Sequence, residues 1–225
     1  MFAINHAATA LVVKKKYPQA PLWLLLISVQ IIELFWVAFN YMGIEYSSTE
    51  ATVSSVLDVH LIHMPYSHSI FSTIVVAFIA WFVINKCFHK PRIAFAVAIA
   101  IASHIVLDLL THTQDIALAP FLGMEKFGFG LYTVPMLAFL AETFYGILCW
   151  WIYNGKLSLL FIIIGFNLAN FSFFSAVVIG PEAMLANEPL LLTSVVFIQI
   201  VLTLILVGVF SRRNNTYATA GASLS

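Results

Sequence analysis

The sequence predicts an all-α integral membrane protein, a polytopic bundle of about six transmembrane helices preceded by a short N-terminal helix. Of its 225 residues, 62% are hydrophobic and 9% are charged, whereas soluble domains carry about 25% charged residues. Six long apolar runs are separated by polar loops, and each can cross a membrane as a helix. The runs are longer than barrel strands and lack strict alternation, which favours helices.

The N-terminal run over residues 2–13 is too short to span, because a crossing needs ~20 helical residues. It also precedes the cluster Lys14, Lys15 and Lys16, the reverse of the order in a signal peptide. We therefore expect a half-length helix that is either re-entrant or interfacial. The six predicted spans that follow are residues 21–44, 69–85, 92–111, 131–153, 157–179 and 190–210. We expect one transmembrane domain over residues 1–213 and a disordered cytoplasmic tail over residues 214–225.

Basic residues predict the orientation of the bundle. Nine of the ten lie at one end of the predicted spans, before the first span, in connections, or just after the last span: Lys14, Lys15, Lys16, Lys86, Lys90, Arg92, Lys156, Arg212 and Arg213. The opposite loops contain only Lys126, so the positive-inside rule places the basic end and the C-terminus in the cytoplasm. Loops at about residues 45–68, 112–130 and 180–189 then face outward. Because the net charge is zero, no basic field indicates a nucleic-acid partner.

The third span ends in the run ASHIVLDLLTHTQD, residues 102–115. His104, Asp108 and His112 follow one another at spacings of four, and each step of four turns a helix face by about 40°. The three side chains therefore share one predicted stripe, in the outward half of the bilayer. Ionisable groups in a span cost free energy unless they are paired, ligated or facing water. The stripe predicts a metal site, with a hydrogen-bonded pair that ties helices together as the alternative.

A second group of histidines, His63 and His68, lies at the outward start of the second span. A basic turn at residues 86–92 connects the second and third spans as a hairpin, which brings the two groups together. Mixed His and carboxylate ligands suit zinc, whereas calcium or magnesium prefers oxygen ligands alone. His60 and Asp58 can be either ligands or ordinary loop residues, and His89 lies at the wrong end for the cluster.

Two acids and one further histidine lie within apolar helices. Glu33 has about the depth of His104, which favours it as a ligand or general base, and Glu142 lies near the midplane of the fourth span. For either acid the alternative is a protonated carboxyl bonded to Asn167, Asn170 or Gln199. His6 reaches a similar depth on the N-terminal helix and is either part of the site or an ordinary interfacial histidine. Cys87 and Cys149 have no metal-knuckle spacing, so we expect two free thiols.

The motifs His63-x4-His68-Ser69 and Ser103-His104-x3-Asp108-Leu-Leu-Thr resemble those of the bacterial membrane-bound metal-dependent hydrolases of the YdjM-like family. Asn5-His6 resembles that family's initial Thr-His pair, and Glu33 stands where its acidic motif is found. The chain departs from the pattern because Gln30-Ile-Ile-Glu33 lacks the paired aspartates. Met64-Pro65 also replaces an Arg-Gly pair. More distantly, the His-x3-Asp helix is similar to the zinc phospholipase C and P1 nuclease fold.

Together these patterns predict an enzyme, a metal-dependent hydrolase of the bacterial inner membrane with its site facing the periplasm. We expect a divalent ion, most simply zinc, bound by His63, His68, His104, Asp108 and His6. Glu33 and His112 are the expected catalytic residues. The expected partners are membrane lipid and a small-molecule or lipid substrate, with a phosphoester from the outer leaflet as the most natural one. The alternatives are a cation or proton transporter and a non-catalytic structural membrane protein.

Overall fold

Helices make up most of the chain in the computed structural model, which describes residues 1–175, 177–178 and 180–211. The predicted tail, with Arg212 and Arg213, lies outside the described residues. Two small antiparallel hairpins and a few short 3-10 turns complete the described part. The helices are α1 (Ala3–Lys16), α2 (Leu22–Tyr41), α3 (Ile70–Phe88), α4 (Pro91–Thr111), α5 (Pro135–Tyr153), α6 (Leu157–Ala169) and α7 (Pro189–Phe210), and the strands are β1 (Tyr46–Thr49), β2 (Val59–His63), β3 (Ile116–Ala119) and β4 (Leu122–Phe127).

Five of these helices, α2, α3, α4, α5 and α7, are long and apolar enough to cross a membrane. This confirms a helical membrane protein but not the count of six spans, because α6 has only 13 residues. The Asn170 amide donates to the carbonyl of Phe166 and accepts from Gln199 of α7. The chain then continues as the 3-10 turn Phe171–Phe174. The predicted span over residues 157–179 is therefore interrupted where a polar side chain ends the helix and links it to α7.

Helix α1 lies inside the bundle, where it contacts α2, α4, α5, α6 and α7. Its first nine residues are all buried, and the alanines among them leave room for close packing by the surrounding helices. The amide of Gln30 on α2 donates to the carbonyl of Ala3, 2.6 Å away. Burial on every side fits the re-entrant alternative and not the interfacial one. It also carries Asn5 and His6 into the centre of the molecule.

Both β-hairpins lie at one end of the bundle, which we call the hairpin end. The Lys126 ammonium on β4 lies 3.4 Å from the carbonyl oxygens of Leu61 and Ile62 on β2. A backbone bridge also joins Ser69, at the start of α3, to Ala117 of β3. Because β3 follows α4 in the chain, this bridge brings the start of α3 close to the end of α4.

Helices α3 and α4 form the predicted helical hairpin. The turn between them uses His89 in a left-handed conformation, with φ of 53°, and Pro91 begins α4, where its missing N–H is not needed. Helix α4 ends at Thr111, because His112 adopts extended backbone angles. The prediction that His112 continues the helical stripe of His104 and Asp108 is therefore wrong, although its ring remains near the same site.

Candidate metal centre

Four side chains from three segments converge at the hairpin end of the bundle. They are Glu33 of α2, His68 just before α3, and His104 and Asp108 of α4, and we call them the four-residue cluster. Asp108 Oδ2 lies 3.0 Å from His104 Nε2 and 3.9 Å from His68 Nε2. Glu33 Oε2 lies 3.5 Å from the same His68 nitrogen. These are spacings that neighbouring ligands of one ion adopt, since zinc bonds of about 2.0–2.1 Å place tetrahedral ligand atoms roughly 3.3–3.4 Å apart.

The orientation of His104 is fixed by a backbone carbonyl. Its Nδ1 lies 2.8 Å from the oxygen of Val29 on α2, and because that oxygen can only accept, Nδ1 carries the proton. In the neutral ring the other nitrogen, Nε2, presents a lone pair toward Asp108. Metal-binding histidines usually have this arrangement, with one nitrogen held by a carbonyl and the other left for the ion.

His68 is oriented by a relay through Ser67 to Glu45. The Ser67 hydroxyl donates to Glu45 Oε2, so it accepts from His68 Nδ1, which is 2.9 Å away. Backbone N–H groups of Tyr66 and Ser67 donate to the other Glu45 oxygen, at 2.7 and 2.8 Å. Burial raises the pKa of the Glu45 carboxyl, and these hydrogen bonds partly oppose the rise. Burial also holds the pKa of His68 well below its usual value, which favours a neutral ring.

The inward-facing atoms of the cluster have no hydrogen-bond partner. His104 Nε2, Asp108 Oδ2 and Glu33 Oε2 are all buried and unsatisfied. Buried polar atoms are nearly always paired, and leaving one unpaired costs about 1–3 kcal/mol. Three unpaired acceptors around one point need a positive group between them, which either protons on these side chains or a bound cation can supply. A divalent ion satisfies this requirement directly, and the residues present, two imidazoles and two carboxylates, fit zinc.

The other oxygen of Asp108 is occupied by the N-terminal segment. Oδ1 lies 2.8 Å from the α-amino nitrogen of Met1 and 3.2 Å from His6 Nε2. The same His6 nitrogen is 3.1 Å from the carbonyl of Met1, so it donates and is not free to bind an ion. The His6 ring stacks on His104, with 4.1 Å between ring centroids. His6, His104 and Asp108 have ligand atoms close enough together to hold an ion, and His6 Nδ1 is buried without a hydrogen-bond partner, so the prediction of His6 as a ligand stays a prediction.

A cavity of about 700 Å³ adjoins the cluster, and Glu33 and His68 form part of its wall. His112 and Asp115 face the same cavity, with His112 Nδ1 3.2 Å from Asp115 Oδ2. The His112 ring lies 6.4 Å from that of His68. The predicted catalytic residues Glu33 and His112 are thus brought to one cavity beside the cluster, with Asp115 holding the imidazole of His112.

Three residues considered from the sequence lie outside the cluster, although His60 borders the adjoining cavity. His63 is exposed on β2 and stacks on Tyr46, with 5.3 Å between ring centroids. Its prediction as a ligand is wrong in this geometry, because the strand directs it away from the buried site. His60 pairs with Glu50 at 2.7 Å on the exposed side of the hairpin. Asp58 caps the turn that precedes β2, and hydrogen bonds from Ser54 and Ser55 outweigh partial burial and lower its pKa.

Glu142 of α5 is buried but belongs to a different network. Its oxygens accept from the backbone N–H of Phe2 at 3.0 Å, from Asn5 Nδ2 at 2.8 Å and from the Tyr132 hydroxyl at 3.0 Å. Asn5 in turn donates to Asn167 of α6. Three donors within the chain satisfy this carboxyl, which fastens α1 to the helices around it.

Sequence reasoning missed Glu45 and Ser67, the pair that orients His68. The only signal was weak: Ser67 directly precedes a predicted ligand, and Glu45 directly follows an apolar run. The assignment of a chemistry to this cluster rests on its own contacts. Comparison of the chain with protein-family models, with curated proteins and with solved structures finds no match.

Proposed function

We propose that the protein is a membrane-embedded, metal-dependent hydrolase whose ion is held by His68, His104 and Asp108. One observation carries the proposal: buried acceptor atoms of the four-residue cluster face one another without a hydrogen-bond donor between them. Both histidines have the tautomer that leaves Nε2 for an ion. A cluster that only tied helices together would be expected to satisfy its own donors and acceptors, as Glu142 does.

Zinc is the ion that this set of residues favours. Two imidazole nitrogens with carboxylate oxygens form a common zinc ligand set, whereas calcium and magnesium select oxygen ligands. The relay to His68 and the carbonyl bonded to His104 are the outer contacts that usually accompany such ligands. A bound zinc ion supplies a Lewis acid and lowers the pKa of a water molecule toward 7.

The cavity favours catalysis over a purely structural ion. Structural zinc sites are closed by four protein ligands, while catalytic sites keep one position open to substrate. Here Glu33 and His68 border the cavity, so the cluster has one open side. Glu33, unpaired at Oε2, is placed to take a proton from water. His112, held by Asp115, is placed to give one to the leaving group.

The finer predictions about topology belong to the same proposal. We infer that α6 and the turn after it provide a sixth crossing, because α6 is apolar and connects α5 to α7. The basic residues support a cytoplasmic basic end and a periplasmic hairpin end. The motif resemblance supports membership of the YdjM-like family and a bacterial inner-membrane location, with a phosphoester or lipid as the substrate.

The test is to purify the protein in detergent, count bound metal, and assay phosphoesters and phospholipids before and after chelation. We expect His104→Ala and Asp108→Asn to lose both metal and turnover. His63→Ala is the matched control, because it removes an imidazole from the same end of the bundle without touching the cluster. Full retention of metal and activity in both cluster variants would refute the proposal.

The same experiment separates the alternatives. Bound metal with no turnover of any ester would favour the structural alternative. Uptake of a divalent ion into proteoliposomes, lost in Glu142→Gln, would favour transport. We expect no such loss, because the oxygens of Glu142 are engaged by donors that hold α1 in place.

A further inference from the structure

The cavity beside the cluster has two chemically different parts. At one end it is bordered by Glu33, His68 and His112, and along one side by apolar residues of α7. We propose that it binds an amphiphile with an anionic head and a single apolar chain, the head at the four-residue cluster and the chain along α7. This inference deepens the proposed function and rests on it, since it names the class of substrate that the same site takes.

The wall for the chain is built by neighbouring helices. Trp36 of α2 and Leu192, Val195 and Val196 of α7 all border the cavity, and Trp36 and Leu192 are themselves buried. Such a surface binds hydrocarbon through the apolar area it removes from water. A cavity of about 700 Å³ is within the usual range for one small ligand of roughly 300–1,000 Å³. Its size therefore favours one chain beside the head.

The mouth of the cavity suits a ligand that arrives from a membrane. Leu57 and Ile62 border the cavity and remain 38% and 47% exposed, which gives the opening an apolar rim. An exposed apolar rim costs little where it meets lipid. A chain can therefore approach the wall of α7 past these two apolar side chains.

The charges around the cavity favour an anionic head. Lys126 borders the cavity with an exposed side chain. Two acids also border the cavity: Asp115 pairs with His112 through Oδ2, and Glu33 Oε2 has no hydrogen-bond partner. An ion at the cluster would add two positive charges at the base. An anion such as a phosphate is thus attracted both at the mouth and at the base of the cavity.

The proposal predicts that affinity rises with the length of the ligand's apolar chain, and that one substitution ends this rise at a shorter chain. Burying a methylene contributes about 0.8 kcal/mol, so affinity should rise about fourfold per methylene until the wall is filled. Val196→Trp occupies the wall and should end this rise at a shorter chain. Ile198→Trp is the matched control, because Ile198 is on the same helix but is exposed and does not border the cavity.

The probes are n-alkyl phosphates from butyl to dodecyl, titrated calorimetrically into zinc-loaded protein in nanodiscs of uncharged lipid. Partition of the probes into lipid is the same for each variant, so the ratio between variants reports the cavity alone. We expect Val196→Trp to weaken dodecyl phosphate at least tenfold and butyl phosphate less than twofold. Ile198→Trp should match the wild type. Val195→Phe, a smaller change in the same wall, replaces Val196→Trp if that variant fails to fold.

Equal binding of dodecyl phosphate by the wild type and the wall variant would overturn the inference. So would equal weakening by the control variant. A parallel assay of p-nitrophenyl phosphate separates this failure from that of the proposed function. Turnover without a variant-specific effect of chain length would contradict the amphiphile site and support the hydrolase. An effect of chain length without turnover of any phosphoester would support the amphiphile site and contradict the hydrolase.

Discussion

Asp108 and Glu142 are equally buried carboxyls on neighbouring parts of one bundle, yet their surroundings differ. Each is 1% exposed, and each is reached by one of two consecutive residues of α1, His6 and Asn5. Glu142 meets three N–H or O–H donors, whereas Asp108 Oδ2 lies 3.0 Å from His104 Nε2 and 3.9 Å from His68 Nε2 and has no assigned hydrogen-bond partner. Burial of an acid within a span therefore does not identify a functional site. The kind of partner on each oxygen does.

The largest expected difference between the two acids is in their response to zinc. Ligand binding stabilises the folded state by about 4 kcal/mol when the free concentration is 1,000 times Kd. We expect this gain in the wild type and in Glu142→Gln, but not in Asp108→Asn. Thermal unfolding in detergent with and without zinc measures it. A zinc-dependent shift that survives in Asp108→Asn would contradict the distinction.

Removal of the Glu142 carboxyl should lower stability without affecting metal binding. Glu142→Leu leaves the donors of Phe2, Asn5 and Tyr132 unpaired in a buried site, which should cost about 2–3 kcal/mol of unfolding free energy. Leu140→Ala, an exposed position on the same helix, controls for truncation in α5. Metal content measured on the folded fraction should remain that of the wild type. Loss of metal in Glu142→Leu would contradict this distinction, because it would show that metal binding depends on the Glu142 network.

The relay behind His68 should tune metal affinity. Substitution of residues that orient metal ligands typically lowers affinity 10–100-fold, so we expect that range for Ser67→Ala and for Glu45→Gln. Competition with a fluorescent zinc chelator gives the dissociation constants. Ser72→Ala, the same chemical change in the first turn of α3, should leave them unaltered. Unchanged affinity in both relay variants would mean that His68 is not a ligand.

The smallest expected effect is at His63. Its ring stacks on Tyr46 at the exposed face of the hairpin, and surface substitutions usually alter stability by less than about 0.5 kcal/mol. His63→Ala should therefore keep wild-type metal content and stability. A fall in metal content would support the prediction from the sequence that His63 is a ligand. It would also require the hairpin to adopt another position.

Much of the fold could be predicted because it follows from local pattern. Apolar runs of about 20 residues indicate membrane helices in any context, and α2, α3, α4, α5 and α7 agree with them. The pair His104 and Asp108 could be predicted for the same reason, since a spacing of four fixes two side chains on one helix face. The end of α6 could not, because it depends on a hydrogen bond between Asn170 and Gln199 of another helix.

By itself, the sequence determined a helical membrane protein and a short list of residues able to hold an ion. Only the tertiary structure decided which of them meet. The tertiary structure places His63 outside the cluster, brings Glu33 close to the histidines, and places α1 within the bundle. The physical reason is that a ligand is defined by the direction of a lone pair. For His104 that direction is fixed by Val29, 75 residues away in the sequence. For His68 it is fixed by Ser67, which is held by Glu45, 22 residues before Ser67.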